Sequence, residues 1–242
     1  MLLLFTTVPY CYGSDHINVV TEDWPPFNHL LADGQIGGKN TAVVKSVLRK
    51  ANLSYSIRLY PWARSYDMAK NRKNTLVYSI LRTPERENLF KWICPIGINV
   101  NLYMYVLSNR KNLSVNTIED AKSYLVGVTR GDYPHIRLTE LGFNEKNLLI
   151  SPSDNANIKM LINSRIDFVV EAEDTMDTIL NNIGQNRNTV RRLFTINLNN
   201  SAENCMAFGL KTDDTIVKRV RQALIAVNTE RTNAIKQPKS KL

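Results

Sequence analysis

Strand-like and helix-like segments alternate along most of the chain, and that rhythm restricts it to an α/β fold more than any other feature does. INVV, closed by Thr21, reads as a strand and opens onto the loop EDWPPFNHLLADGQIGG. KNTAVVKSVLRKAN then places Val43, Val44, Val47 and Leu48 at helical spacing. YSIRLY alternates as a strand, WARSYDMAKN reads as a helix and TLVYSI as a buried strand. A second series follows: strands LYMYVL and YLVGV, helix YPHIRLTEL, strand NLLI, helix NANIKMLIN, strand IDFVV and helix TMDTILNNI. CMAFGL is a further strand, and DTIVKRVRQALIAV an amphipathic helix. The pattern predicts mostly parallel strands. Ligands of open α/β sheets sit outside the carboxyl ends of strands, which directs attention to loops 22–28, 79–86, 129–133 and 171–174.

At 242 residues the chain can form one large domain or two small lobes. A net charge of +9 would attract nucleic acid, anionic lipid or acidic solutes. The charge is nevertheless spread along the chain, only the tail KQPKSKL clusters it, and no nucleic-acid-binding motif accompanies it. No nucleic-acid partner is expected.

The start, MLLLFTTVPYCYGSD, has a short apolar run from Leu2 to Val8 followed by small or polar residues. Residues 1–13 therefore read as a secretory signal lacking the usual basic first part, which predicts export to the periplasm without a membrane anchor. Its removal would leave Cys94 and Cys205. They could pair in an oxidising compartment, but without CxxC spacing and far apart in sequence they are expected as two buried free thiols. His16, His29 and His135 are the only histidines and none neighbours a cysteine, so no metal site is expected.

EDWPPF after the first strand, YPWARSYDMA, YSILRTPERENLFKW, GVTRGDY and SRIDFVVEAED, in that order, resemble the type II extracytoplasmic solute-binding proteins. The similarity is to the amino-acid-binding-like branch with PWAR and RTPERE segments, and it spans residues 17–228. It implies two α/β lobes, 14–97 plus 210–242 and 98–209, joined by the crossing strands LYMYVL and CMAFGL. It further implies a monomer without cofactor that closes on a small-molecule solute in the cleft and delivers it to a membrane ABC transporter permease. A sensory or degenerate homologue, or an enzyme of dehydratase type on the same fold, are the alternatives. No Ser-His-Asp, Cys-His or GxSxG arrangement accompanies the enzyme reading.

In RTPERE, Thr83 can cap a helix and Pro84 suits its first position, so N–H groups and a guanidinium could converge on a carboxylate. By resemblance Arg86 is the carboxylate clamp, its alternative being a salt bridge to Glu85 or Glu87, while Arg82 is read as structural. Trp24 and Trp62 would line the cleft by resemblance, with Arg64 able to reach it, unless both rings pack in the core. In TRGDY, Gly131 permits close backbone approach and the turn opens a helix whose N–H groups could bind an anion. Arg130 and Asp132 flank it, with Asp132 alternatively a plain N-cap.

Two positions depart from the pattern. Leu81 stands where a serine or threonine is common, with Ser79 two residues earlier, and Ala172 stands where an aspartate would meet an α-ammonium. Glu171 or Glu173 could substitute. The expected solute is therefore small, polar and carboxylate-bearing rather than an ordinary α-amino acid. Beyond Val227, NTERTNAIKQPKSKL is short, polar and interrupted by Pro238, so a final helix is expected to be missing or abbreviated.

Overall fold

The structure, a computed structural model, describes residues 16–97, 100–111, 113–196 and 203–236. The expected signal segment 1–13 and Pro238 lie outside the described residues. The first lobe begins with β1 (Ile17–Thr21), a small hairpin β2 (His29–Leu30) and β3 (Ile36–Gly37), and α1 (Lys39–Lys50). It continues through β4 (Tyr55–Leu59), α2 (Trp62–Asn71), β5 (Thr75–Leu81), a 3₁₀ turn over Pro84–Leu89, and β6 (Phe90–Ile93). The second lobe runs β7 (Leu102–Leu107), α3 (Ile118–Ala121), β8 (Val126–Thr129), α4 (Tyr133–Glu140), β9 (Leu148–Ser151), α5 (Asp154–Ile162), β10 (Phe168–Ala172), α6 (Glu173–Asn182) and β11 (Val190–Ile196). β12 (Asn204–Gly209) and α7 (Asp214–Lys236) return to the first lobe.

Two five-stranded sheets result, ordered β4-β1-β5-β12-β6 and β11-β7-β10-β8-β9. The expectation of mostly parallel strands is corrected. β1 pairs in parallel with β4 and β5, and β8 with β9 and β10, but β12 and β7 each run antiparallel to both neighbours. Those two strands follow or precede a crossing between lobes instead of a helical crossover, and a strand entered that way is free to run either way. CMAFGL is accordingly a strand of the first sheet, not a crossing element, and the expected lobe boundary at 209 moves back before Asn204. The chain crosses within 94–101 and 197–203.

Both sheets are covered on both faces, as their near-continuously buried strands require. On the first sheet, α1 presents Val43, Val44, Val47 and Leu48, and α7 presents Ile216, Val217, Val220, Ala223, Leu224 and Val227. The opposite face is packed by Trp62, Met68 and Ala69 of α2 against Val20, Val77 and Ile80. α7 does not stop near Val227. It continues as helix to Lys236, where Asn228 donates to the Pro95 carbonyl (3.1 Å) and Lys50 meets Glu230 (2.5 Å). Over the described residues the polar composition of that stretch reflects a solvated helix end.

Cys94 and Cys205 form a disulfide, which overturns the expectation of free thiols. Their 111-residue separation hid the fact that β6 and β12 are neighbours in the sheet. The bond joins the start of the first crossing to the end of the second, and Ile96 N–H donates to Asn204 O (2.9 Å) beside it. Among the described residues, the convergence of three potential metal ligands is at Cys94, Glu203 and Cys205, where the disulfide takes both sulfurs.

Candidate functional site

The carboxyl ends of β1 and β5 in one lobe face those of β8, β9 and β10 in the other. Thr21 ends β1, and Glu22, Asp23 and Trp24 follow it into a tight loop. Trp24 and Asn28 exchange backbone hydrogen bonds (2.7 and 3.0 Å). The Asn28 side chain donates to Glu22 O (2.7 Å) and Thr21 Oγ1 (3.0 Å), which ties the loop to its strand. Ser79 extends that network, donating to Asn28 Oδ1 and accepting from Asn40 Nδ2 (2.9 Å). Ser79 is the extra residue of a β-bulge: Tyr78 pairs with Met206 and Ile80 with Cys205. Its φ of +60° is the left-handed region, and the bulge turns the hydroxyl toward the cleft while sending Ile80 to the opposite core.

Among the described residues, hydrogen bonds and an ion pair cross between the lobes. Trp24 Nε1 donates to Glu171 Oε1 (3.2 Å), Trp62 Nε1 to Gly131 O (2.9 Å) and an Arg86 terminal nitrogen to the same carbonyl (3.2 Å). At the rim, Lys39 pairs with Asp174 (2.7 Å). Between the lobes lies a small cavity that opens to solvent. Glu22, Trp24, Ser79 and Leu81 wall it from the first lobe, and Asp132, Tyr133, Asp154 and Glu171 from the second.

The arginines of RTPERE divide as follows. Arg82 makes a two-pronged ion pair with Glu87 (2.7 and 2.5 Å) on the surface. Arg86 is 2% exposed, with its guanidinium 5.4 Å from the ring centroids of both Trp62 and Tyr66. It donates to Leu81 O and Gly131 O (both 3.2 Å), and its Nε is buried without an acceptor. The guanidinium thus stands behind the cavity wall. Trp62 is also a core residue, and its Nε1 reaches the second lobe. Arg64 and Arg130 are exposed, Arg64 lying over the Tyr60 ring (4.3 Å), and neither borders the cavity.

The 130–133 turn keeps its N–H groups to itself. Arg130 N donates to Ser151 O, Gly131 N to His135 Nδ1 (3.0 Å), Asp132 N to Thr129 O and Tyr133 N to Asp132 Oδ1 (2.6 Å). Gly131, at φ +69°, turns its carbonyl toward the first lobe. This turn presents acceptors to the cleft, where an anion site would need donors.

Electrostatically the cavity is acidic. Burial pushes Glu22 and Glu171 well above the ordinary carboxylate range, and the neighbouring carboxylates push further in the same direction. Asp154 rises to about 7, first through burial and then through the charge of Asp132. Asp132 is raised by burial, against which Arg86 pulls it down. Burial likewise lowers Arg86, and the charge of Asp132 is the largest influence holding it up. Asp154 accepts from Thr129 Oγ1 (2.5 Å), and Glu171 from Trp24 and from the Ala172 N–H (2.7 Å). Glu22, 7% exposed, has no side-chain hydrogen bond to any described residue.

Sequence reasoning missed Glu22 and Asp154. Glu22 was findable as the first residue after β1 at its carboxyl end. Asp154 carried only the signal of a helix start in SPSD. What it faces depends on how β9 registers with β8.

A family model described as bacterial extracellular solute-binding proteins, family 3, matches residues 17–237. The chain belongs to that family. The family's members are binding proteins of the extracellular or periplasmic space, and no helix among the described residues is long and apolar enough to cross a membrane. Family 3 membership agrees with the two-lobed fold and with the resemblance read from the loops. Among solved structures, a histidine kinase sensor domain with similarity to periplasmic binding proteins superposes with a TM-score of 0.79 at 17% identity, over 91% of this chain and 94% of that one. An ancestral arginine-binding protein bound to arginine gives 0.77 at 16%, over 91% and 95%. The arginine-, lysine-, histidine-binding protein ArtJ from Geobacillus stearothermophilus gives 0.75 at 18%, over 93% and 97%. At these identities the likeness is one of fold. No curated protein matches the chain in sequence.

Proposed function

We propose that this family 3 protein is a periplasmic receptor that closes over one small polar, amino-acid-like solute and presents it to a membrane ABC transporter permease. The observation that carries the reading is the cavity between the lobes, into which polar side chains of both converge. Trp24 supplies ring surface, Ser79 a hydroxyl held by the bulge, and Glu171 and Asp132 the acceptors of the second lobe. Arg86 and Trp62 hold the closed form through Gly131, and Arg64 and Arg130 have no part in the site. Closure is favoured because the interlobe contacts and the solute's contacts with both walls exist together only in the closed form. Solute titration followed by calorimetry, with small-angle scattering of the same samples, tests this. A binding solute should raise the melting temperature and shrink the radius of gyration. A solute that binds without compaction, or is chemically altered, would sink the receptor mechanism.

A further inference from the structure

We propose that the solute is a small organic cation carrying amine or guanidine groups and no carboxylate. This rests on the receptor reading above and replaces its amino-acid-like solute with a defined chemical class.

Three independent features of the cleft point this way. First, the walls carry Glu22, Asp132, Asp154 and Glu171, while no lysine or arginine borders the cavity. Second, the groups that would receive a solute carboxylate are already engaged. The four N–H groups of the 130–133 turn all donate within the second lobe, and both terminal nitrogens of Arg86 donate to carbonyls. A carboxylate arriving here would meet acidic groups on several sides, and the donors left to it belong to the Arg86 guanidinium, which stands behind the cavity wall. Third, Glu22 is buried, faces the cavity, and its carboxyl group has no hydrogen-bonding partner among the described residues. A buried carboxylate costs free energy until a donor or counter-charge reaches it. An ammonium or guanidinium supplies both, because it donates several N–H bonds and brings positive charge.

Trp24 adds a face suited to the same ligand. Its indole borders the cavity, its N–H is fixed on Glu171, and a cation over the ring is attracted by the ring's negative face. Carboxylates stand on both lobes, so a cation between them favours the closed form by screening two walls that otherwise repel. The burial of the four acids fits this design: each holds its proton unusually well when the cavity is empty, and an incoming cation would release protons as it restores their charge.

The test is calorimetric titration of the full chain with matched pairs that differ by one carboxylate: agmatine against arginine, cadaverine against lysine, with glutamine and glutamate alongside. The decarboxylated member of at least one pair should bind tenfold or more tightly than its amino acid. Binding should release protons, seen as a heat that changes with the ionisation enthalpy of the buffer. Glu22→Gln should weaken it at least tenfold without altering the circular dichroism spectrum. If that variant does not fold, the wild-type pairs decide alone. Equal or tighter binding of the amino acids overturns the proposal and leaves the receptor reading standing, as does binding of glutamine or glutamate alone. Binding of nothing in the panel overturns both.

Discussion

Trp24 Nε1 donates to Glu171 Oε1 at 3.2 Å, joining the loop after β1 of one lobe to the end of β10 in the other. The ring also stacks on Phe27 (4.3 Å between centroids) and belongs to the core of the second lobe, so one side chain serves both lobes. Trp24→Phe keeps the ring and removes the bond. With Glu171 protonated in the empty protein, a hydrogen bond of this kind contributes about 0.5–1.5 kcal/mol, and here that energy belongs to closure more than to folding of either lobe. The unliganded variant should therefore show a larger radius of gyration by small-angle scattering, with its urea midpoint moved little. An unchanged radius would mean the bond does not hold the lobes together.

The acidic cavity makes the stability of the empty protein depend on pH in a definite direction. The carboxyl of Asp154 is raised to about 7, so the folded state binds its proton more tightly than the unfolded chain does. Stability from this group is therefore fully present below the ordinary aspartate range and is lost as pH climbs through about 7. Glu22, Glu171 and Asp132 are shifted the same way and add to the loss. The melting temperature of the empty protein should fall from pH 5 to pH 8, and Asp154→Asn should flatten the fall. A cationic solute should reverse the trend by favouring the ionised forms. A wild-type melting temperature that rises over that range would contradict these shifts.

The elements with strong local signals were legible in the sequence, and the pairings between distant segments were not. WARSYDMAKN matches α2 residue for residue, because Pro61 precedes a helical face of Trp62, Ser65, Met68 and Ala69. VRRLFTI was not read as a strand. β11 lies at a sheet edge, with mixed exposure and a bulge between Arg192 and Phe194 that breaks the alternation. Strand direction, the Cys94–Cys205 bond and the meeting of Glu22 with Asp154 all depend on which strands become neighbours. No local propensity encodes that. Trp24, Ser79, Asp132 and Glu171 stand on loops or strand ends and border the cavity, whereas the net charge of +9 gave no hint that the cavity is acidic. Surface lysines and arginines dominate a whole-chain sum, and the four carboxylates of the cavity vanish within it.

The disulfide ties the two crossings at the base of the first lobe, so its loss should act on both stability and hinge geometry. Replacing both cysteines by serine should lower the free energy of unfolding by about 2–5 kcal/mol, since the bond closes a loop of over a hundred residues in the unfolded chain. Urea titration of the double variant beside the oxidised wild type measures this. A wild type that reacts fully with a thiol label before unfolding would show that the bond does not form.

Arg82 and Arg86 sit four residues apart, and their substitutions should differ severalfold in effect. Arg82 is paired with Glu87 on a surface where both side chains are over a third exposed, so Arg82→Met should cost under about 1 kcal/mol. Arg86 is 2% exposed and is the cation nearest the cavity acids. Arg86→Met keeps much of the volume but leaves the half-buried Asp132 without its compensating charge, a change that should cost about 1–3 kcal/mol. Asp132 can escape part of that by taking up a proton, so the cost should shrink at pH 5 and grow at pH 8. Urea unfolding of both variants at the two pH values separates the cases. An Arg86→Met cost that is as small as Arg82→Met, or independent of pH, would show that the guanidinium does not balance the acids of the cleft.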